Sequence, residues 1–156
     1  MSGTSIQRTR TIAAPPDRVW ATLAAFGEIS GWAGNVDHST LTSERADGVG
    51  AARRVQAGRV VLIETVIEWE PPHRLAYTLD GLPPLADRVV NRWDLAADPG
   101  DPDRTVATLT TEVEPARGPR GRIGVRILGR VLGKAADDLV DGLAAHDHTA
   151  TGRTGA

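Results

Sequence analysis

Cysteine is absent from the 156 residues, which excludes disulfides, thiolate nucleophiles and cysteine-bound metal. Any metal site would have to be built from His and carboxylates, and a reducing compartment suits the chain. No strong excess of one charge exists either: 18 Lys and Arg stand against 20 Asp and Glu, leaving a formal charge of -2 and no overall footprint for nucleic acid. Apolar runs are short. The Val60 to Ile63 stretch is far below the roughly 18 residues needed to cross a bilayer, and Met1 to Arg10 has no apolar core of the kind a signal peptide carries. A cytoplasmic location is the expectation. No internal repeat and no phosphate-cradling glycine motif is visible, and Gly48-Val49-Gly50 reads as the start of a strand.

What is present is ordinary globular material: 40% hydrophobic and 24% charged residues. A chain this long hides about 70% of its unfolded surface around one core, so a single domain over 1–148 with a frayed tail over 149–156 is expected. Ser5 to Ile12 reads as a strand. Pro15-Pro16-Asp17 then opens a helix, because Pro suits the first turn and Asp its positive end, with Val19, Leu23 and Phe26 on the apolar face. A short helix or turn follows over Glu28 to Trp32, and strand signals dominate from Val36.

The sharpest local signal is Ala57-Gly58-Arg59-Val60. Glycine at the first central position of a two-residue turn sets a hairpin register with Ala57 opposite Val60. Val55 then faces Leu62, Arg53 faces Glu64, and Ala51 faces Val66, all on one side of the sheet. The other side carries Val61, Ile63, Thr65 and Ile67. Across the Pro71-Pro72 turn, a looser register sets Tyr77 near Val66 and Leu79 near Glu64. Two more strands are expected over Asp87 to Ala97 and Arg104 to Val113, joined by a turn-rich Asp98 to Asp103, with Val89, Asn91, Trp93 and Leu95 on one face.

After Pro115 the period changes to that of a helix. Ile127/Leu128, Val131/Leu132, Ala135/Ala136, Leu139 and Leu143 form its expected buried stripe, ending near His146. Gly129 and Gly133 lower helix propensity but permit close approach or leave space above a cavity. The order of elements implies an α+β fold with this helix laid across a curved sheet.

Several segments together resemble the START-like superfamily (SRPBCC), which contains polyketide cyclases, dehydrases and lipid-transport proteins. They are Ile12 to Trp20 at the first helix, Trp32, Gly48-Val49-Gly50, Glu64 to Pro72, Arg74 to Tyr77, and the terminal helix. The resemblance implies a helix-grip architecture: a seven-stranded antiparallel sheet around a long C-terminal helix with an apolar cavity between them. It makes the Glu64 side concave, gathering Val55, Leu62, Val66, Leu75, Tyr77, Leu79, Val89, Trp93, Leu95 and Val106. Arg53, Glu64, Tyr77, Asn91, Thr108 and Thr110 add polar groups to that lining.

An apolar pocket with scattered polar groups suits a hydrophobic ligand with some oxygen functions. The expected ligand-binding residues are Trp32, Arg53, Leu62, Glu64, Tyr77, Asn91, Trp93, Leu128 and Leu132. The leading expectation is a noncatalytic carrier of a lipid or polyketide-like metabolite, with no cofactor and no metal. The alternative is a polyketide cyclase, aromatase or dehydratase in which Arg53, Glu64 and Tyr77 orient or protonate a folded chain. The Arg53–Glu64 pair equally suits a cross-strand ion pair that only sets register. His146, Asp147 and His148 read as a solvated terminus rather than a metal site. Two further partners are open. A dimer would use Val61, Ile63 and Ile67 if exposed, and a membrane surface would use the basic Arg117 to Lys134 stretch with its interleaved Ile123, Val125, Ile127 and Leu128.

Overall fold

The computed structural model describes residues 3–152, and the side-chain surroundings of 3–119 and 121–147. The chain runs β1 (Thr4–Ile12), α1 (Pro16–Ala24), a short 3-10 segment η1 (Phe26–Gly31), β2 (His38–Leu41), β3 (Ala52–Ala57), β4 (Val60–Glu70), β5 (Arg74–Asp80), β6 (Ala86–Asp98), β7 (Asp101–Pro115) and α2 (Pro119–Gly152). The seven strands form one antiparallel sheet in the order β1-β7-β6-β5-β4-β3-β2. Consecutive strands from β2 to β7 pair with one another, β1 pairs with β7, and the connection through α1 and η1 carries the chain from the β1 edge to the β2 edge. Helix α2 packs on the β1 and β7 end of the concave face, and α1 and η1 pack beside it.

The hairpin register read from Gly58 is the one observed. Gly58 adopts φ 61° at the turn, where a side chain would be strained. Ala57 pairs with Val60, Val55 with Leu62 and Arg53 with Glu64. The next hairpin pairs Tyr77 with Val66 and Leu79 with Glu64, again as expected. One irregularity was not legible: a bulge between Val66 and Glu68 shifts the pairing by a residue, so Trp69 returns to the concave side opposite Leu75. There it meets Trp20 of α1 edge to face, with ring centroids 5.1 Å apart.

The β6–β7 hairpin corrects the expected lining. The strands continue through the stretch assigned to a long turn, and Asp98 pairs with Asp101 around Pro99-Gly100. An unbroken ladder from that turn would set Val106 opposite Trp93 and Thr108 opposite Asn91. Instead the register shifts between Ala97 and Asp98, so Trp93 faces Leu109, Asn91 faces Thr111 and Leu95 faces Ala107. Val106, Thr108 and Thr110 therefore lie on the convex face. Thr105, Ala107, Leu109, Thr111 and Val113 are the buried set.

Helix α2 is narrower in its buried stripe than its periodicity implies. Leu128, Leu132, Ala136, Leu139, Val140 and Leu143 are buried, whereas Ile127 and Val131 are exposed. The helix lies over only one end of the sheet, so positions on the flank of the stripe have nothing to pack against. Its C-terminal part is more enclosed than a solvated terminus. Asp147 is buried against α1, where the Thr22 hydroxyl donates to its Oδ1 at 2.8 Å, and desolvation raises its pKa. His146 is exposed, and the His148 side chain lies outside the described set. The helix is assigned through Gly152, past the expected end near His146, and residues 153–156 of the expected tail lie outside the described residues.

Close approach falls on a glycine other than those expected. A Cβ at Gly129 would meet nothing within 4 Å, and one at Gly133 only the end of Arg8. At Gly142 it would sit 2.5 Å from the Trp32 carbonyl oxygen, which is backbone and cannot swing away. Gly129→Ala is expected to stabilise the protein by about 1 kcal/mol through helix propensity. Gly142→Ala is expected to destabilise it by about 1–3 kcal/mol despite the same gain, because η1 must shift. Urea denaturation of the two variants checks the contrast.

Candidate functional site

The polar centre of the concave face is Arg53 on β3. Its neighbours on the hairpin are fixed by the two-residue turn, which sets it directly across from Glu64. Nε donates to Glu64 Oε1 at 2.8 Å, Nη2 lies 2.7 Å from the same oxygen, and Nη1 donates to the Phe26 carbonyl at 2.8 Å. The guanidinium also lies over the Phe26 ring, 3.7 Å from its centroid, and 4.7 Å from that of Tyr77. Arg53 is 2% exposed and Glu64 5% exposed. The pair thus does two jobs: it neutralises a buried carboxylate, and it ties η1 to the sheet through a backbone oxygen.

A second polar group adjoins it. Trp93 Nε1 donates to the Tyr77 hydroxyl at 3.3 Å, and Thr111 Oγ1 donates to Asn91 Oδ1 at 2.6 Å. Burial raises the Tyr77 pKa, and the Glu64 carboxylate pushes it further. Arg53 and the hydrogen bonds from Trp93 and Asn91 oppose them in part. The phenol is consequently neutral at physiological pH.

Around these groups sit the expected apolar residues. Tyr77, Trp93, Leu128 and Leu132 belong to one buried cluster, with Trp32 and Leu62 packed against it. Phe26 meets Tyr77 edge to face at 5.5 Å, and Trp32 meets Trp93 at 6.2 Å. The nine residues singled out in the sequence therefore converge on one interior. Two contributors were missed. Thr111 was hidden by the register shift in the β6–β7 hairpin. The Phe26 carbonyl had no signal, since a backbone acceptor is the same for every residue type.

Trp32, half buried at the end of η1, marks the edge of this interior. Beside it an open groove of about 650 Å³ runs between η1 and α2, lined by Trp32, Asn35, Asp138, Asp141, Gly142 and His146 among others. A larger depression of about 960 Å³ lies at the start of α2, lined by Arg117, Gly118, Arg122 and Val125 with Glu114 and Asp87. Neither lining includes Arg53, Glu64 or Tyr77. Among the described residues no group of three or more His, Asp or Glu is placed to hold a metal ion, and no helix is long and apolar enough to cross a membrane.

The chain matches a known family profile, that of polyketide cyclase/dehydrase and lipid transport, over residues 3–146. The chain belongs to that family. Solved structures agree on the fold. The Zhui aromatase/cyclase from Streptomyces sp. R1128 superposes with a TM-score of 0.76 at 17% identity, covering 93% of both chains. A START superfamily protein from Mycobacterium smegmatis gives 0.70 at 14% identity, covering 93% of this chain and 97% of that one. The di-domain aromatase/cyclase StfQ of the steffimycin biosynthetic pathway gives 0.78 at 12% identity, covering 97% of this chain and 52% of that one. Identities this low establish the helix-grip START/cyclase fold and nothing finer. A comparison with curated proteins finds no match.

Two outcomes follow for this family member. Arg53→Met strands a buried carboxylate and is expected to cost about 3–5 kcal/mol, whereas Arg53→Met with Glu64→Leu recovers most of that loss; denaturant unfolding of both variants reads the difference. Tyr77 is the sole tyrosine, so phenolate absorbance near 295 nm reports it alone. Its pKa is raised in the folded state, so it contributes stability that is complete below the unfolded phenol's pKa of about 10 and is lost as pH rises through the folded value. The expected titration lags that of the unfolded chain, and a curve coincident with it would contradict the burial argument.

Proposed function

We propose that the chain binds a small hydrophobic molecule bearing oxygen functions, a lipid or polyketide-like metabolite, between the curved sheet and α2. Trp32, Leu62, Trp93, Leu128 and Leu132 supply apolar contact, and Arg53, Glu64, Tyr77 and Asn91 orient the oxygens. Trp32 is the wall that moves to admit the ligand, because it is half exposed and borders the groove between η1 and α2, whereas the similarly half-exposed Trp69 is packed edge to face on Trp20. Apolar burial drives binding.

The observation that favours carriage over chemistry is the state of the polar groups. Two nitrogens of Arg53 hold Glu64 Oε1, and the Tyr77 pKa is raised by burial, so the phenol is no base at neutral pH. The second reading is a cyclase or aromatase. It is supported by the aromatase/cyclase neighbours and by Arg53, whose remaining N–H groups are suited to polarising the carbonyl of a chain folded against it.

Native mass spectrometry of protein purified gently from its own host tests both. A bound small molecule that is released on denaturation is the expected result. Its return unchanged after incubation with the protein supports carriage, and its conversion to a ring-closed or dehydrated product supports the enzyme. Protein that arrives empty and binds no fatty acid or polycyclic aromatic ketone on titration of its tryptophan fluorescence would sink the binding reading.

A further inference from the structure

The exposed face of α2 carries a surface that the interior does not use. Ile123, Ile127 and Val131 recur every four residues and so form one ridge, and they are 66%, 53% and 59% exposed. Arg122, Arg126 and Arg130 form the adjacent ridge one residue back, and Lys134 continues it. All four cations are exposed, and among the described residues none of them is in an ion pair or hydrogen bond. No Asp or Glu occurs between Glu114 and Asp137. The carboxylates farther along the helix are placed differently: Asp137 and Asp141 pair with Arg8 and Arg10 of β1.

We propose that this face of α2 docks on the surface of an anionic lipid bilayer. Side-by-side ridges of large aliphatics and unpaired cations are what a helix lying in the headgroup plane requires, with aliphatics reaching the acyl boundary and arginines meeting phosphates. Between the two ridges lies an open depression of about 430 Å³ lined by Arg122, Ile123, Arg126, Ile127 and Arg130, where three unpaired guanidinium groups and two aliphatic side chains suit a phosphate headgroup on its acyl chains. Arg122 also lies in the first turn of α2, where the macrodipole is positive and a nearby anionic surface relieves a locally unfavourable charge. The face is separate from the interior, so vesicle binding and ligand binding succeed or fail independently.

The test is flotation of the full chain with vesicles of phosphatidylcholine alone and of phosphatidylcholine with phosphatidylglycerol. Binding to the mixed vesicles, little binding to the neutral ones, and release by salt are expected. Replacing Arg122, Arg126 and Arg130 together by Gln is expected to weaken binding on the order of a hundredfold, about fivefold for each cation. Replacing Ile123, Ile127 and Val131 together by Ser is expected to weaken it at least as much, with circular dichroism unchanged because all three are exposed. Equal binding to neutral and mixed vesicles, or full binding by either triple variant, would overturn the proposal. So would absence of vesicle binding combined with capture by polyglutamate, which assigns the face to an acidic protein. A dimer in sedimentation velocity that the Ser variant dissociates, with vesicle binding unaffected, would assign it to a second copy of the chain.

Discussion

The buried Arg53–Glu64 pair is the constraint around which the concave side is arranged. Burying two charges costs several kcal/mol each unless their mutual attraction and further hydrogen bonds offset it. Here the offset comes from three sources at once. Two guanidinium nitrogens meet one carboxylate oxygen, a third meets the Phe26 carbonyl, and two aromatic faces lie against the cation. Each source constrains a different element: β4 through Glu64, η1 through Phe26 and β5 through Tyr77. Loosening any of them exposes the others to the desolvation cost, which is why η1, a short segment with no side-chain cap at its start, nonetheless holds a defined place.

The same centre sets the chemistry open to the interior. A phenol kept neutral by burial is a poor proton acceptor at physiological pH, and the carboxylate oxygen beside it is fixed in direction by two guanidinium nitrogens. Polar groups so arranged are better at fixing the orientation of a bound oxygen than at moving a proton. The Trp93–Tyr77 and Thr111–Asn91 hydrogen bonds extend that property along the sheet, because each supplies a donor or acceptor whose direction is fixed by its neighbour.

How much of this was legible in the sequence depended on how local the determining signal was. Gly58 and a two-residue turn fix a register with no outside help, so the Arg53–Glu64 pairing followed from reading the chain, and the Pro71-Pro72 turn gave the looser Tyr77–Val66 pairing. The β6–β7 turn has equally clear residues, but a register shift a few positions away reverses which face Thr108 and Thr111 occupy. Nothing in Ala97 to Arg104 announces the size of that shift. The helix stripe failed for a different reason. Ile127 and Val131 satisfy the period of a buried face, yet burial needs a partner surface, and where α2 crosses the sheet is a tertiary fact.

That misreading has a physical content beyond the error. Periodicity found the aliphatics, and the fold then left two of them, Ile127 and Val131, on the outside in line with Ile123 and beside an unbroken basic ridge. Scattered exposed aliphatics are normal on a protein surface and need no partner. A row repeating every four residues on a helix, flanked by cations that no carboxylate neutralises, is a different object. Across α2 the C-terminal half is anchored by Asp137 and Asp141 to β1 and by Asp147 to α1, while the N-terminal half presents its charge outward. Exposed ion pairs of the first kind contribute little stability one by one. Their consequence here is directional: with the acidic half of the helix turned toward the protein, the basic half is the part left to meet something else.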